Sequence, residues 1–171
     1  PPAAGQEFRD DTWQLCFSDT APADFAVGAC TALIESGRES RDNLAAALFN
    51  RANAFADRRM YDRAVQDYGQ ALRLLPDDPD FLANRGHALV QLGRVDDAIA
   101  DYDRALRQNP RLLAALDGRC NAYAVQGRLD AALRDCDAAL AQAPDDPLFR
   151  DNRCFVALKA GDWEGATGLY D

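Results

Sequence analysis

The chain has 171 residues, with 28 Asp or Glu against 19 Lys or Arg, a formal net charge of −9. This balance argues against nucleic acid, because holding phosphates takes clustered cations, and here the arginines are dispersed among aspartates with Lys159 the sole lysine. An anionic membrane surface is disfavoured for the same reason, and no apolar run approaches the roughly 18 to 20 residues that insertion across a bilayer requires; 48% apolar and 27% charged residues suit a globular chain with one continuous core.

Residues 1–10, opening Pro1-Pro2-Ala3-Ala4-Gly5 without a Met, read as a flexible tail left by processing or trimming. Residues 11–44 hold two apolar blocks, 12–17 and 25–34, separated by Thr20-Ala21-Pro22. They are expected to form a degenerate helical hairpin at the start of the domain, followed by a polar linker over 35–44.

From residue 45 the chain repeats itself. Pro76, Pro110 and Pro144 are 34 residues apart, as are Arg51, Arg85, Arg119 and Arg153, and Ala64, Ala98, Ala132 and Ala166. Within each period the apolar residues fall at helical spacing in two blocks, as in 81–92 and 95–106. Gly93, Gly127 and Gly161 stand where the first block ends, a place suited to the left-handed residue that closes a helix. Each proline stops the second block, since it disfavours helical geometry in the residue before it. Asp78-Pro79 and Asp146-Pro147 read as helix starts. Units are therefore expected at 45–78, 79–112 and 113–146, with 147–171 a partial fourth.

A 34-residue helix-turn-helix with small residues at positions 8, 20 and 27, an aromatic at 24 and Pro at 32 resembles the tetratricopeptide repeat. In residues 79–112 these landmarks are Gly86, Ala98, Ala105, Tyr102 and Pro110, with Leu89 at position 11. The resemblance implies an all-α, right-handed superhelical solenoid of antiparallel helix pairs. Two departures stand out. Position 7, usually Leu in the family, is Arg in every unit, and Asp67, Asp101 and Asp135 recur at position 23, which predicts an Arg–Asp ladder that fixes register. Gly165 and Gly168 fall within the expected last helix, and no polar capping helix follows, so a continuing chain or another subunit is expected to cover that end, with oligomerisation one outcome.

Placed in this register, Cys120 and Cys136 occupy positions 8 and 24 of one unit. Aligning Val27 to Cys30 with Val65 to Tyr68 puts Cys30 at position 24 as well, and Cys16 then falls near position 8. Disulfides Cys16–Cys30 and Cys120–Cys136 are expected, and with them a periplasmic or secreted protein; the Ala-, Arg- and Asp-rich composition suggests a bacterium with a GC-rich genome. Two alternatives stand beside this: small buried thiols in a cytosolic protein, and a competing Cys136–Cys154 bond.

No catalytic constellation, metal site or cofactor is expected. His87 is the sole histidine, no Cys-x-x-Cys or His-x-x-x-His occurs, and no glycine-rich phosphate loop is present. The resemblance implies instead a concave groove that takes a protein or peptide partner. Its residues here would include Phe49, Asn53 and Asp57 of the first unit, Asp80, His87 and Gln91 of the second, Asp117 and Asn121 of the third, and Asp151 and Phe155 of the fourth. Chaperone-binding members grip a C-terminal carboxylate with cations on this face. Phe49, Ala83, Ala114, Asp117 and Gly118 stand where those cations would be needed, so the acidic groove is expected to favour a neutral or basic segment. The expected function is a non-enzymatic interaction scaffold. A second expectation is an accessory subunit of an extracytoplasmic enzyme or envelope complex, bound through the open C-terminal end or the convex face.

Overall fold

The structure is a computed structural model that describes residues 11–18 and 20–167. The described residues form α1 (11–16), α2 (Ala23–Ser36), α3 (Arg41–Asp57), α4 (Tyr61–Leu74), α5 (Pro79–Gln91), α6 (Val95–Gln108), α7 (Leu113–Val125), α8 (Leu129–Leu140), α9 (Pro147–Ala160) and α10 (Trp163–Thr167), with no strand among them. Residues 1–10, Gly168 and Tyr170 lie outside the described residues.

Helix starts follow local chemistry. The Asp78 carboxylate accepts from the backbone N–H of Asp80 and Phe81, and that of Asp146 from Leu148, each ahead of a proline whose missing donor has no helical partner to lose. The expected linker over 35–44 narrows to residues 37–40. Gly37 closes α2 at φ +63°, and the Ser40 side chain caps α3 by accepting from the Asn43 N–H, so a polar stretch that reads as loop is a stop signal followed at once by a start signal.

Small residues let the paired helices approach. Ala64, Ala98 and Ala132 at position 20, with Ala71, Ala105 and Ala139 at position 27, are buried throughout. Tyr102 is wedged between two glycines: a Cβ at Gly86 would lie 2.8 Å from its ring, and one at Gly118 would lie closer still. The first helices of the units touch in succession, α3 with α5, α5 with α7 and α7 with α9, whereas α4, α6 and α8 do not touch one another. The stack therefore curves with the first helices on its inner face.

The Arg–Asp ladder forms, and it joins units as well as helices. Arg51, Arg85 and Arg119 each make a two-pronged bond to the carboxylate at position 23 of their own unit, at 2.7 and 2.9 Å to Asp67, 2.6 and 2.7 Å to Asp101, and 2.7 and 2.8 Å to Asp135. The same guanidinium reaches position 25 of the preceding unit, from Arg119 to Asp103 at 2.6 Å and from Arg153 to Asp137 at 3.0 Å. Arg51 reaches Thr31 at 3.0 Å, which puts the N-terminal hairpin in register with the repeats. The cysteine pairs Cys16–Cys30 and Cys120–Cys136 stand at disulfide distance, with Cα separations of 4.8 and 5.5 Å. Cys154 is free and half-buried.

Candidate functional site

Two cavities open along the inner face. One, of about 390 Å³, lies between the N-terminal hairpin, α3 and α5, and its wall includes Phe17, Asn50, Asn53, Asp57 and Tyr68. The other, of about 650 Å³, lies over α5, α7 and α9 and includes Gln91, Tyr102, Asp117, Asn121, Leu148 and Asn152. Asn84 and His87 line both, so the two make one trough across successive first helices.

Position 9 is polar in the first three units, and in the first its side chain is held from behind. The buried Tyr68 hydroxyl donates to the Asn53 side-chain oxygen at 2.6 Å, which fixes the amide and leaves its NH₂ as a donor at the cavity wall. Burial raises the Tyr68 pKa well above its usual range, with the Asp57 charge adding to it, so this hydroxyl keeps its proton. Burial likewise raises Tyr102, helped by the charges of Asp117 and Asp101.

Asp117 is the central acid of the trough. Asn152 donates to it at 2.7 Å from the next unit, and Asn121 lies 3.5 Å from its other oxygen, one turn along α7. Burial raises the Asp117 pKa; the Asn152 hydrogen bond opposes this, Asp146 adds to it, and the His87 charge again lowers it. Among the described residues no Lys or Arg pairs with Asp117, whereas Asp67, Asp101, Asp103, Asp135 and Asp137 each face an arginine.

Of the residues expected from sequence, Asn53, Asp57, His87, Gln91, Asp117 and Asn121 line the trough. Phe49 does not. Its ring stacks on Phe81 at 4.6 Å and meets Tyr68 at 5.7 Å, so it belongs to the packing between the first two units, where a large aromatic gains more than at an open wall. Asp80 and Asp151 are exposed outside both cavities, and the Asp80 backbone oxygen accepts from the Asn84 amide at 2.9 Å. Phe155 is exposed beyond the larger cavity, with Lys159 above its ring.

The expected list omits Asn84 and Asn152. They belong to a position-6 column, Asn50, Asn84, Gly118 and Asn152, and that periodicity is the signal that marks them. Gly118 breaks the column because the Tyr102 ring fills the space a side chain would need. Among the described residues no cluster of His, Cys, Asp or Glu is arranged to hold a metal ion, and no helix is long and apolar enough to cross a membrane.

Comparison with known proteins places the fold. The chain is similar to a tetratricopeptide repeat protein from Parabacteroides merdae, with 21% identity, 96% of this chain and 63% of that chain covered, and a TM-score of 0.78. It is also similar to MamA from Desulfovibrio magneticus, with 16% identity, 98% and 92% covered, and a TM-score of 0.82. The first tetratricopeptide domain of Spaghetti (RPAP3), bound to the HSP90 peptide SRMEEVD, matches with 21% identity over 68% of this chain and 93% of that one, with a TM-score of 0.66. No curated protein matches the sequence. The family model described as a tetratricopeptide repeat matches residues 49–112 and 83–147, together more than half of the chain. The right-handed solenoid, the 34-residue register and this match agree, and the chain belongs to the tetratricopeptide repeat family.

Proposed function

We propose that this protein is a non-enzymatic scaffold that holds a polypeptide segment in its concave trough and favours a neutral or basic one. The fold supports a protein-interaction role in general. The observation that carries the finer reading is the continuity of the two cavities through Asn84 and His87, which gives a trough lined by amides and carboxylates. Side-chain amides both donate and accept, so they can pair with the backbone of an extended chain whatever its sequence. The peptide held by Spaghetti, SRMEEVD, has three acidic residues among its last four. Here no Lys or Arg among the described residues pairs with Asp117 in the trough, which argues for the opposite charge preference.

The two cysteine pairs support an exported location, periplasmic or secreted, and the Ala-, Arg- and Asp-rich composition supports a bacterial source. The deciding experiment is affinity capture from an extracytoplasmic extract, comparing wild type with Asn53→Ala, His87→Ala, Asn121→Ala combined. A partner retained only by wild type supports the trough.

A second reading, an accessory subunit attached through the C-terminal end, draws on Trp163, which is 68% exposed on α10. It predicts the reverse result: a partner lost with Trp163→Ser and kept by the triple variant.

A further inference from the structure

The concave face changes chemistry along its length. Asn53, His87 and Asn121 make position 9 polar in the first three units, and Phe155 takes that place in the fourth. Phe155 is 53% exposed, Leu148 55% and Leu158 42%. At intervals of seven and three residues on α9, these three share one stripe. Lys159, whose ammonium lies 5.1 Å from the centre of the Phe155 ring, also donates to the Ala124 carbonyl at 3.4 Å, so the stripe abuts the end of α7, where Val125 is 63% exposed. Contiguous apolar surface at a binding face marks contact with a partner.

Given the reading above that this face holds a polypeptide, we propose that the bound segment pairs a basic side chain, seated at Asp117, with a bulky apolar side chain close by in sequence, laid on the shelf of Leu148, Phe155 and Leu158.

The two halves of this site are physically joined. Asp117 and Leu148 line the same cavity, and Asn152, which donates to Asp117, lies on α9 between Leu148 and Phe155. The rise along α9 from Asn152 is about 6 Å back to Leu148 and about 4.5 Å on to Phe155. Alternate side chains of an extended strand are about 6.6 Å apart, so a basic residue with an apolar one two positions away matches the span. Charge selects the occupant. Asp117 is half-buried and faces no Lys or Arg among the described residues, and a partner ammonium or guanidinium would supply the charge-assisted bond that offsets its desolvation. Lys159 beside Phe155 keeps a second cation from the shelf and leaves that end to apolar groups.

The test uses the full chain and fluorescein-labelled Gly-Ser peptides carrying Lys and Leu two residues apart, Lys alone, Leu alone, or Asp and Leu in the same spacing, with affinity read by fluorescence polarisation. The Lys/Leu peptide is expected to bind about tenfold tighter than either single-residue peptide. Asp117→Asn should reduce it to the level of Leu alone, and Phe155→Ser with Leu158→Ser to the level of Lys alone. All three positions are half-buried or exposed, so the variants should keep wild-type circular dichroism. If all peptides bind equally, or the Asp peptide binds best, and that binding is lost in the Asn53, His87, Asn121 variant, the paired requirement is wrong and the trough stands. If no peptide shows binding that depends on a trough residue, both readings fall. Self-association in sedimentation velocity that disappears in the Phe155, Leu158 variant would assign the shelf to a second copy of the chain and overturn the proposal.

Discussion

Asn152 donates its side-chain amide to the Asp117 carboxylate across 2.7 Å, a bond that ties the first helix of the fourth unit to that of the third at the wall of the trough. The carboxylate it holds carries a cost. Burial raises the Asp117 pKa above its ordinary 3.8, and the Asn152 bond offsets only part of this. A carboxyl with a raised folded pKa binds its proton more tightly in the native state. Its contribution to stability is therefore present below the unfolded value and is lost as pH rises through the folded one. Asp117→Asn keeps an oxygen for Asn152 and removes the charge. At neutral pH the variant should melt at or above the wild-type temperature, and the gap should close on acidification through the raised value. A lower melting temperature at neutral pH would show that the ionised carboxylate stabilises the fold.

The ladder makes a graded prediction. Arg119 bonds Asp135 in its own unit and Asp103 in the preceding one, and these two carboxylates, Asp135 foremost, hold its guanidinium protonated against the opposing effect of burial. Arg119→Ala would leave Asp135, only 7% exposed, as an unpaired buried charge, at a cost of about 3 kcal/mol. Arg85→Ala should cost less, because the residue at position 25 before it is Gly69 and supplies no carboxylate. Replacing both partners, Arg119→Met with Asp135→Leu, should recover much of the loss, since no buried carboxylate is left unpaired and Asp103, which also loses Arg119, is 39% exposed to water. Urea denaturation of the four proteins checks the order; equal losses for Arg85→Ala and Arg119→Ala would mean that the bond between units contributes nothing.

Periodicity carried most of the architecture and about half of the trough. The 34-residue step of Pro76, Pro110 and Pro144 locates the helix pairs, and the shared register of Arg51 and Asp67 foretells their bond, because both rest on local geometry repeated along the chain. Phe49 shows where this fails. Its position number assigns it to the groove, yet the neighbours that decide its burial, Phe81 and Tyr68, are supplied by other helices. The polar stretch at 35–44 fails differently. Composition suggests a linker, while Gly37 and Ser40 act as single-residue signals that end one helix and begin the next. The position-6 column marks Asn152, but its contact with Asp117 depends on how the third and fourth units pack.

The cysteine pairs are directly testable. Alkylation without reduction, followed by intact mass, should label Cys154 alone among the five cysteines. Replacing Cys120 and Cys136 by Ala should cost about 3 kcal/mol, the loop-entropy value for a closure of this length. Labelling of all five cysteines in protein prepared without reductant would remove both bonds and with them the argument for an oxidising compartment.

Arg59 gives the sharpest test of local strain. It has φ of +57°, in the place where the later units have Gly93, Gly127 and Gly161 at +74° to +79°. The turn is the same in each case: Met60 donates its N–H to the Phe55 carbonyl at 2.8 Å, as Arg94 does to Leu89 and Arg128 to Tyr123 at 2.9 Å. Arg59 is exposed, so its side chain offers little to set against the left-handed backbone, which costs an L-residue roughly 1 to 2 kcal/mol. Glycine escapes that cost but loses more chain entropy on folding, so the net gain for Arg59→Gly is expected near 0.5 to 1 kcal/mol, or about 2 °C in melting temperature. Arg59→Ala is the control, because it removes the same side chain and keeps the strain. Thermal melts should show Arg59→Gly above wild type and Arg59→Ala at or below it. Equal shifts in the two variants would assign the effect to the arginine side chain and leave the backbone conformation without energetic consequence.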